Sequence, residues 1–223
     1  MKQFLTVILL LLSGLFLVSE VQGSNLFEEA MAAKASGDAE RALYLFEKCI
    51  AEGERVLDAF WESGLLLLEE GKYRRAFELS ERAIPVFSAH LEAHPEDHMN
   101  WFRLGYIFEL RSSTGYFREW EKARTCLTRA LEHSPGNSFY LLHLGYVLYK
   151  MGEGKEAEEK LRGVLLREPL NLEARYWLAV VLASERKYGE AEEELRFLLE
   201  HAPEDFGRLR EVEKLLRKVE RKG

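Results

Sequence analysis

Apolar and polar residues alternate along most of the chain with the period of an amphipathic helix. Apolar positions recur at intervals of three, four and seven residues, which places them on one helical face. Helix-stopping sequences punctuate this pattern: a glycine followed by a charged residue, or a single proline. They stand at Gly37-Asp38, Gly71-Lys72, Gly152-Glu153, Pro95, Pro135, Pro169 and Pro203. The pattern predicts an all-α protein built from pairs of helices joined by tight turns.

The paired helices form a repeat. An alanine in the second helix of each pair recurs at spacings of 34, 47, 34 and 34 residues, at Ala42, Ala76, Ala123, Ala157 and Ala191. A small residue accompanies it in the first helix, at Ala30, Gly64, Gly105, Gly145 and Ala179. Helix backbones approach closely where side chains are small. We therefore expect these positions to set the packing distance within each pair.

The repeat resembles the tetratricopeptide repeat (TPR) family, whose pattern is W-x2-L-G-x2-Y, then A-x3-F, then P. The third repeat matches it nearly throughout, with Trp101, Leu104, Gly105, Phe108, Ala123, Leu127 and Pro135. The first and fifth repeats depart from it, with Glu29 at the leucine position and Arg175 at the tryptophan position. The resemblance implies a right-handed superhelical solenoid over residues 24–206. Its five repeats are predicted at about 24–57, 58–97, 98–137, 138–171 and 172–205.

A last amphipathic segment follows the repeats. Leu209, Val212, Leu216 and Val219 form one apolar stripe among charged residues, which predicts a capping helix within residues 207–223. Solenoids need such a helix because the end of the stack would otherwise expose its apolar face.

The single 47-residue step contains 13 extra residues. Seven are predicted to lengthen the second helix of repeat two beyond Pro85, because seven residues add about two helical turns. The other six fall in the turn of repeat three, with Tyr116 and Phe117 beside Trp120. This aromatic loop is a candidate contact element, since loops on a rigid scaffold often carry specificity. The alternative is that its rings only pack over the helix ends.

The first 23 residues have the pattern of a secretory signal peptide. Lys2 precedes a mainly apolar run from Phe4 to Val18, and small residues follow at Val21-Gln22-Gly23. We expect export to the periplasm or secretion, with no membrane domain in the remaining chain. Without cleavage, the same segment would anchor the protein in the membrane. Cys49 and Cys126 fall in repeats one and three, too far apart to pair, so we expect two unpaired and mostly buried thiols.

Composition and motifs narrow the function classes. The chain has 31 Lys+Arg and 38 Asp+Glu, a net charge of −7, which argues against nucleic acid as a partner. His90, His94 and His98 are spaced by four, but Pro95 interrupts the helix, and we predict no metal site. No nucleophile elbow, zinc-protease helix or complete phosphate loop is present. We therefore predict no catalytic site and no cofactor.

The first helices carry a second, aromatic-rich stripe beside the one that packs on the second helix. Its candidate binding residues are Phe27, Trp61, Leu65, Leu68, Phe102, Tyr106, Tyr146, Tyr149 and Tyr176. The TPR resemblance implies that these positions line a concave groove for an apolar peptide or helix. Burial by neighbouring helices is the alternative. We predict a non-catalytic adaptor or assembly factor of the cell envelope with a protein or peptide partner. A self-assembling homo-oligomeric scaffold is the alternative, and an enzyme is a more distant one.

Overall fold

The computed structural model describes residues 25–115 and 117–222, and these residues form helices joined by turns. Eleven helices and no strand occur within these two ranges. They are α1 (Leu26–Ala35), α2 (Ala39–Glu52), α3 (Val56–Glu69), α4 (Tyr73–Ala93), α5 (His98–Ser113), α6 (Trp120–His133), α7 (Ser138–Met151), α8 (Gly154–Arg167), α9 (Leu172–Ser184), α10 (Tyr188–His201) and α11 (Leu209–Glu220). The predicted fold class, an all-α TPR solenoid with a C-terminal helix, is confirmed. The predicted signal peptide lies outside the described residues.

The chain divides into two units. Unit 1 ends at Ala83 and unit 2 begins at Ile84, so the division falls within α4. Unit 1 has α1, α2 and α3 together with the first part of α4. Unit 2 has the remainder of α4 and α5 to α11.

Local sequence sets where the helices begin and end. Asp97, Asn137 and Asn171 precede α5, α7 and α9, and each side chain accepts a hydrogen bond from a backbone N–H of the first turn. Such caps satisfy donors that have no partner inside the helix. Gly152 follows α7 with a φ of 86°, a conformation that glycine adopts without steric cost. The helix-stopping sequences therefore act as the pattern predicts.

Both units have cores formed by the repeat positions. Ala42, Ala123, Ala157 and Ala191 are completely buried in the second helices. Close crossings occur in unit 2, where a Cβ added at Gly105 would lie 3.1 Å from Cγ of Leu127. At Gly145 the corresponding distance to Cγ of Leu161 would be 2.8 Å. These glycines set the packing distance within their helix pairs.

The second repeat does not follow this rule. A Cβ added at Gly64 would meet nothing within 4 Å, and Ala76 is only half-buried. The expectation that a small residue sets the packing distance in every repeat is therefore wrong for this one. Its physical reason is that no side chain of the described residues reaches the space beside Gly64.

Both predicted insertions are present. Helix α4 has 21 residues and contains Pro85, whereas α2 has 14. The seven additional residues lengthen α4 beyond the proline. In the third repeat, α5 ends at Ser113 and α6 begins at Trp120, which leaves a six-residue connection, against two residues between α7 and α8. Helix α5 has 16 residues and α7 has 14. Two of the six residues predicted for the turn therefore lengthen α5 instead.

The C-terminal helix and the cysteines also match the sequence. Helix α11 buries Val212, Leu216 and Val219 and packs against α10. Cys49 and Cys126 are both unpaired and buried, each in its own unit. Burial raises the pKa of the Cys126 thiol to about 12. Among the described helices, none is both long and apolar enough to span a bilayer.

Candidate protein-interaction surface

The first helices of the last three repeats carry two clusters of ring side chains in unit 2. We call these rings together the aromatic surface and define it as Phe102, Tyr106, Phe139, His143, Tyr146, Tyr149, Tyr176 and Trp177. The rings come from α5, α7 and α9. Within α5 and α7 they share one side, because residues three, four and seven apart lie on the same helical face.

Phe102 is the centre of the first half of this surface. Its ring centroid lies 4.9 Å from that of Phe139 and 5.3 Å from that of His143. Tyr106 meets the His143 ring edge-on, with centroids 5.2 Å apart. Phe102 is buried, whereas 54% of Phe139 is exposed. The Phe102 ring is therefore covered by its neighbours, whereas the Phe139 ring presents apolar area to solvent.

Trp177 is the centre of the second half. Its ring centroid lies 4.5 Å from that of Tyr146, 6.1 Å from that of Tyr149 and 5.1 Å from that of Tyr176. Trp177, Tyr146 and Tyr149 are half-buried, and Tyr176 is buried. Arg208 lies over the rings of both Tyr176 and Trp177 and pairs with Glu173. This half of the surface is therefore held in place by packing and by a cation.

Polar groups orient several of these rings. Nδ1 of His143 lies 2.9 Å from Oε2 of Glu109, a carboxylate that is buried on α5. The hydroxyl of Tyr146 lies 3.2 Å from Oγ of Ser113. Burial raises the pKa of the Tyr106 phenol, and the neighbouring Glu109 raises it further. Tyr106 therefore keeps its proton near neutral pH.

The candidate residues of unit 1 have their own contacts. Phe27 is buried, with its ring centroid 5.7 Å from that of Phe46 and the Arg55 guanidinium 3.8 Å above it. Trp61, Leu65 and Leu68 are half-buried on α3. Their role as partner contacts stays a prediction, as it does for the candidate residues of unit 2.

Three members of the aromatic surface were missed by sequence reasoning: Phe139, His143 and Trp177. A signal was present for each. Trp177 directly follows Tyr176, and residues 139, 143 and 146 have the four-and-three spacing of one helical face. The missing information was which side of α7 and α9 faces the neighbouring first helix.

The aromatic loop packs on its own unit at two of its three candidate residues. The Arg111 guanidinium lies 4.4 Å from the centre of the Phe117 ring, and Arg111 is itself buried and paired with Glu119 at 2.7 Å. Trp120 contacts the Tyr146 ring at 6.0 Å. Tyr116 lies outside the described residues. These contacts agree with the alternative that the rings of the loop pack over the helix ends. A partner contact through the loop stays a prediction.

The three spaced histidines have separate contacts. Nε2 of His90 lies 2.8 Å from Oδ2 of Asp97, and Nδ1 of His98 lies 3.0 Å from the Tyr140 hydroxyl. His94 stacks on His90, with centroids 4.7 Å apart. Within residues 25–115 and 117–222, no group of three His, Cys, Asp or Glu side chains is arranged to hold a metal ion.

Comparison with known proteins agrees with this architecture. Residues 142–205 match the family model described as Tetratricopeptide repeat. No curated protein matches the chain.

Several solved structures share the fold. A thermophilic TPR protein of Thermus thermophilus is 23% identical, with a TM-score of 0.65 over 86% of this chain and 97% of that one. YrrB, described as a TPR protein with an unusual peptide-binding site, is 18% identical, with a TM-score of 0.62 over 94% and 97%. MamA of Desulfovibrio magneticus is 15% identical, with a TM-score of 0.61 over 78% and 92%. At these identities the likeness is one of fold.

Proposed function

Because residues 142–205 match the tetratricopeptide repeat model and the fold is that of solved TPR proteins, we propose that the chain is a non-catalytic adaptor. In this proposal it binds an apolar peptide or helix of a partner protein on its aromatic surface. The observation that carries the proposal is the ring cluster of α5, α7 and α9. Adjacent rings support one another from below and leave apolar faces in solvent. Exposed apolar patches mark interaction sites in soluble proteins.

Aromatic side chains suit this role on energetic grounds. They bury a large area while losing few rotatable bonds, and they dominate the binding free energy of many interfaces. Here the cost of ordering them is reduced further, because Phe102 and Trp177 already fix the neighbouring rings.

The printed description of YrrB, a TPR protein with a peptide-binding site, makes a peptide the first partner to consider. For this chain, a peptide partner and the aromatic surface as its site are both part of the proposal. Export, inferred from residues 1–23 alone, would place the interaction in the cell envelope. N-terminal sequencing of the exported protein tests this part, and a first residue of Ser24 is expected.

The binding experiment compares the full chain with two double variants. Phe139→Ala/Tyr149→Ala removes two solvent-facing rings from the aromatic surface. Tyr44→Ala/Tyr73→Ala is the matched control, because these tyrosines are 64% and 70% exposed in unit 1 and lie outside that surface. Circular dichroism first verifies that all three proteins have the same helicity.

The readout is the set of envelope proteins that each purified chain retains. We expect one protein to be retained by the wild type and the control and lost by the Phe139/Tyr149 variant. If the variant retains the same protein as the wild type, the aromatic surface is structural. If the only protein retained is the chain itself, and its mass rises with concentration, the self-assembling scaffold is the correct function instead.

A further inference from the structure

A cavity of about 330 Å³ lies at the C-terminal end of unit 2, beside the aromatic surface. Its lining includes Tyr149, Tyr176 and Tyr188 from α7, α9 and α10, which we call its floor. Residues of α11 and Lys222 also line it, and we call them its rim. Tyr149 and Tyr176 belong to the aromatic surface, so the cavity continues that surface toward the end of the chain. The volume accommodates one or two side chains of a bound segment.

Three lysines line the rim on the α11 side. Lys214, Lys218 and Lys222 are spaced by four residues and therefore lie along one side of the C-terminal segment. All three are exposed. The one acidic residue lining the cavity is Glu211. The rim thus has an excess of positive charge in a chain whose net charge is −7.

The three lysines have no carboxylate partner in the part of the chain that the structure describes. Among the described residues, none lies within 4.0 Å of an acidic oxygen, whereas Arg208 pairs with Glu173 and Arg196 with Glu220. An ammonium group with no intramolecular partner and an aromatic floor beside it is available to an anionic group of a ligand. The adjoining rings favour an apolar side chain next to that group.

We infer that this cavity binds an acidic segment of the partner, with carboxylates on Lys214, Lys218 and Lys222 and an apolar side chain between Tyr149 and Tyr176. The inference rests on the proposed function, because it assigns a chemistry to one end of the same surface. The ligand inferred here has acidic residues beside its apolar anchor, whereas an entirely apolar peptide would satisfy the proposed function alone. Charge complementarity and a cavity of side-chain size support this assignment.

The test selects random dodecapeptides from a display library on three full-length proteins. The first is the wild type, and the second is Lys214→Gln/Lys218→Gln/Lys222→Gln. The third, Arg210→Gln/Arg217→Gln/Arg221→Gln, removes three positive charges from the same segment at residues that do not line the cavity. Identical helicity of the three proteins excludes misfolding as a cause.

We expect wild-type binders to be enriched in Asp or Glu next to an aromatic or aliphatic residue. Their dissociation constants, measured by fluorescence anisotropy of the synthetic peptides, should rise about tenfold or more in the lysine variant. The arginine variant should change them about twofold or less, since its charges lie farther from the ligand. Affinity should also fall as salt is raised, and less steeply in the lysine variant.

The outcomes separate the two proposals. Selected peptides that are apolar without acidic enrichment, and that bind the lysine variant as well as the wild type, overturn this inference and leave the proposed function standing. Equal losses in the lysine and arginine variants overturn it as well, because the effect is then one of net charge. If no peptide sequence is enriched on the wild type, this inference and the proposed function are both contradicted.

Discussion

Arg175 donates two hydrogen bonds to the carbonyl oxygen of Pro169, from Nη2 at 2.8 Å and from Nε at 3.1 Å. In the third repeat, Trp101 donates one from its indole N–H to the carbonyl of Pro95 at 2.8 Å. Both donors stand six residues after the proline. Arg175 also lies over the Phe197 ring at 3.6 Å and pairs with Glu194. The fifth repeat therefore replaces the tryptophan of the TPR pattern with a residue that makes the same backbone contact.

Truncating this arginine should destabilise unit 2. We expect Arg175→Ala to lower the free energy of unfolding by about 1–3 kcal/mol, because two charged hydrogen bonds are lost and the Glu194 carboxylate is left without its partner. Arg175→Trp should lose less, since an indole N–H can reach the proline carbonyl as Trp101 does. Urea denaturation of both variants checks this. Equal losses would show that the backbone contact contributes little.

Glycine at a close crossing and glycine in open space should respond oppositely to alanine. Gly145→Ala would place a Cβ 2.8 Å from Leu161, and such overpacking costs about 1–3 kcal/mol. Gly64→Ala meets nothing within 4 Å and should raise the free energy of unfolding by about 0.5–1 kcal/mol through helix propensity. Thermal and urea unfolding measure both. A stabilising Gly145→Ala would mean that α7 and α8 separate without cost.

The Arg111–Glu119 pair should make the free energy of unfolding depend on pH. Burial alone raises the pKa of the Glu119 carboxyl, but hydrogen bonds from Arg111 and Lys122 outweigh it and hold this pKa below its ordinary value of 4.5. A lowered folded-state pKa contributes stability above the unfolded pKa, and this contribution is lost as pH falls through the folded pKa. We expect Glu119→Gln to cost about 1–3 kcal/mol at pH 7.

Urea unfolding across pH 7 to about pH 3 checks this, with the difference between Glu119→Gln and wild type shrinking at the acid end. Glu47→Gln serves as the control, because the Glu47–Arg82 pair is half exposed on both sides and should contribute less than about 1 kcal/mol at pH 7. A difference that stays constant with pH would contradict the role of the Glu119 charge.

The His143–Glu109 contact should show the cost of an unpaired buried group. His143→Phe keeps a ring among Phe102, Tyr106 and Phe139 but leaves the buried Glu109 without its imidazole partner. We expect a loss of about 1–3 kcal/mol in the free energy of unfolding. Glu109→Leu/His143→Phe should recover much of it, because an apolar pair of similar size leaves no buried polar atom unsatisfied. A double-mutant cycle gives the coupling energy directly.

The helical hairpins could be predicted from the sequence because the residues that begin and end a helix act locally. Glycine, proline and cap residues between two amphipathic segments act through their own backbone geometry, so the turn at Gly152 and the cap at Asn137 needed no tertiary information. The extra length of α4 was readable for the same reason, since seven residues preserve a helical face. Gly64 shows where local information ends, because the identity of a small residue does not say whether a neighbour approaches it.

The candidate site was predictable only in part. Equivalent first-helix residues of the third and fourth repeats are 40 positions apart, as Gly105 and Gly145 are. Glu109 and His143 are 34 positions apart, so the repeat does not specify their contact. Lys214 and Lys218 lie beyond the last repeat, where no period specifies a neighbour. Their position beside Tyr176 depends on how α11 packs, which the spacing of the lysines does not encode.

One buried cysteine in each unit gives the protein an intrinsic reporter of local opening. A thiol reagent attacks the thiolate, and burial raises the pKa of Cys126 to about 12, so modification requires the surrounding helices to separate. The labelling rate at Cys49 therefore follows opening of unit 1, and the rate at Cys126 follows opening of unit 2. Mass spectrometry of the two peptides shows whether a chain divided within a single helix unfolds in one step or in two.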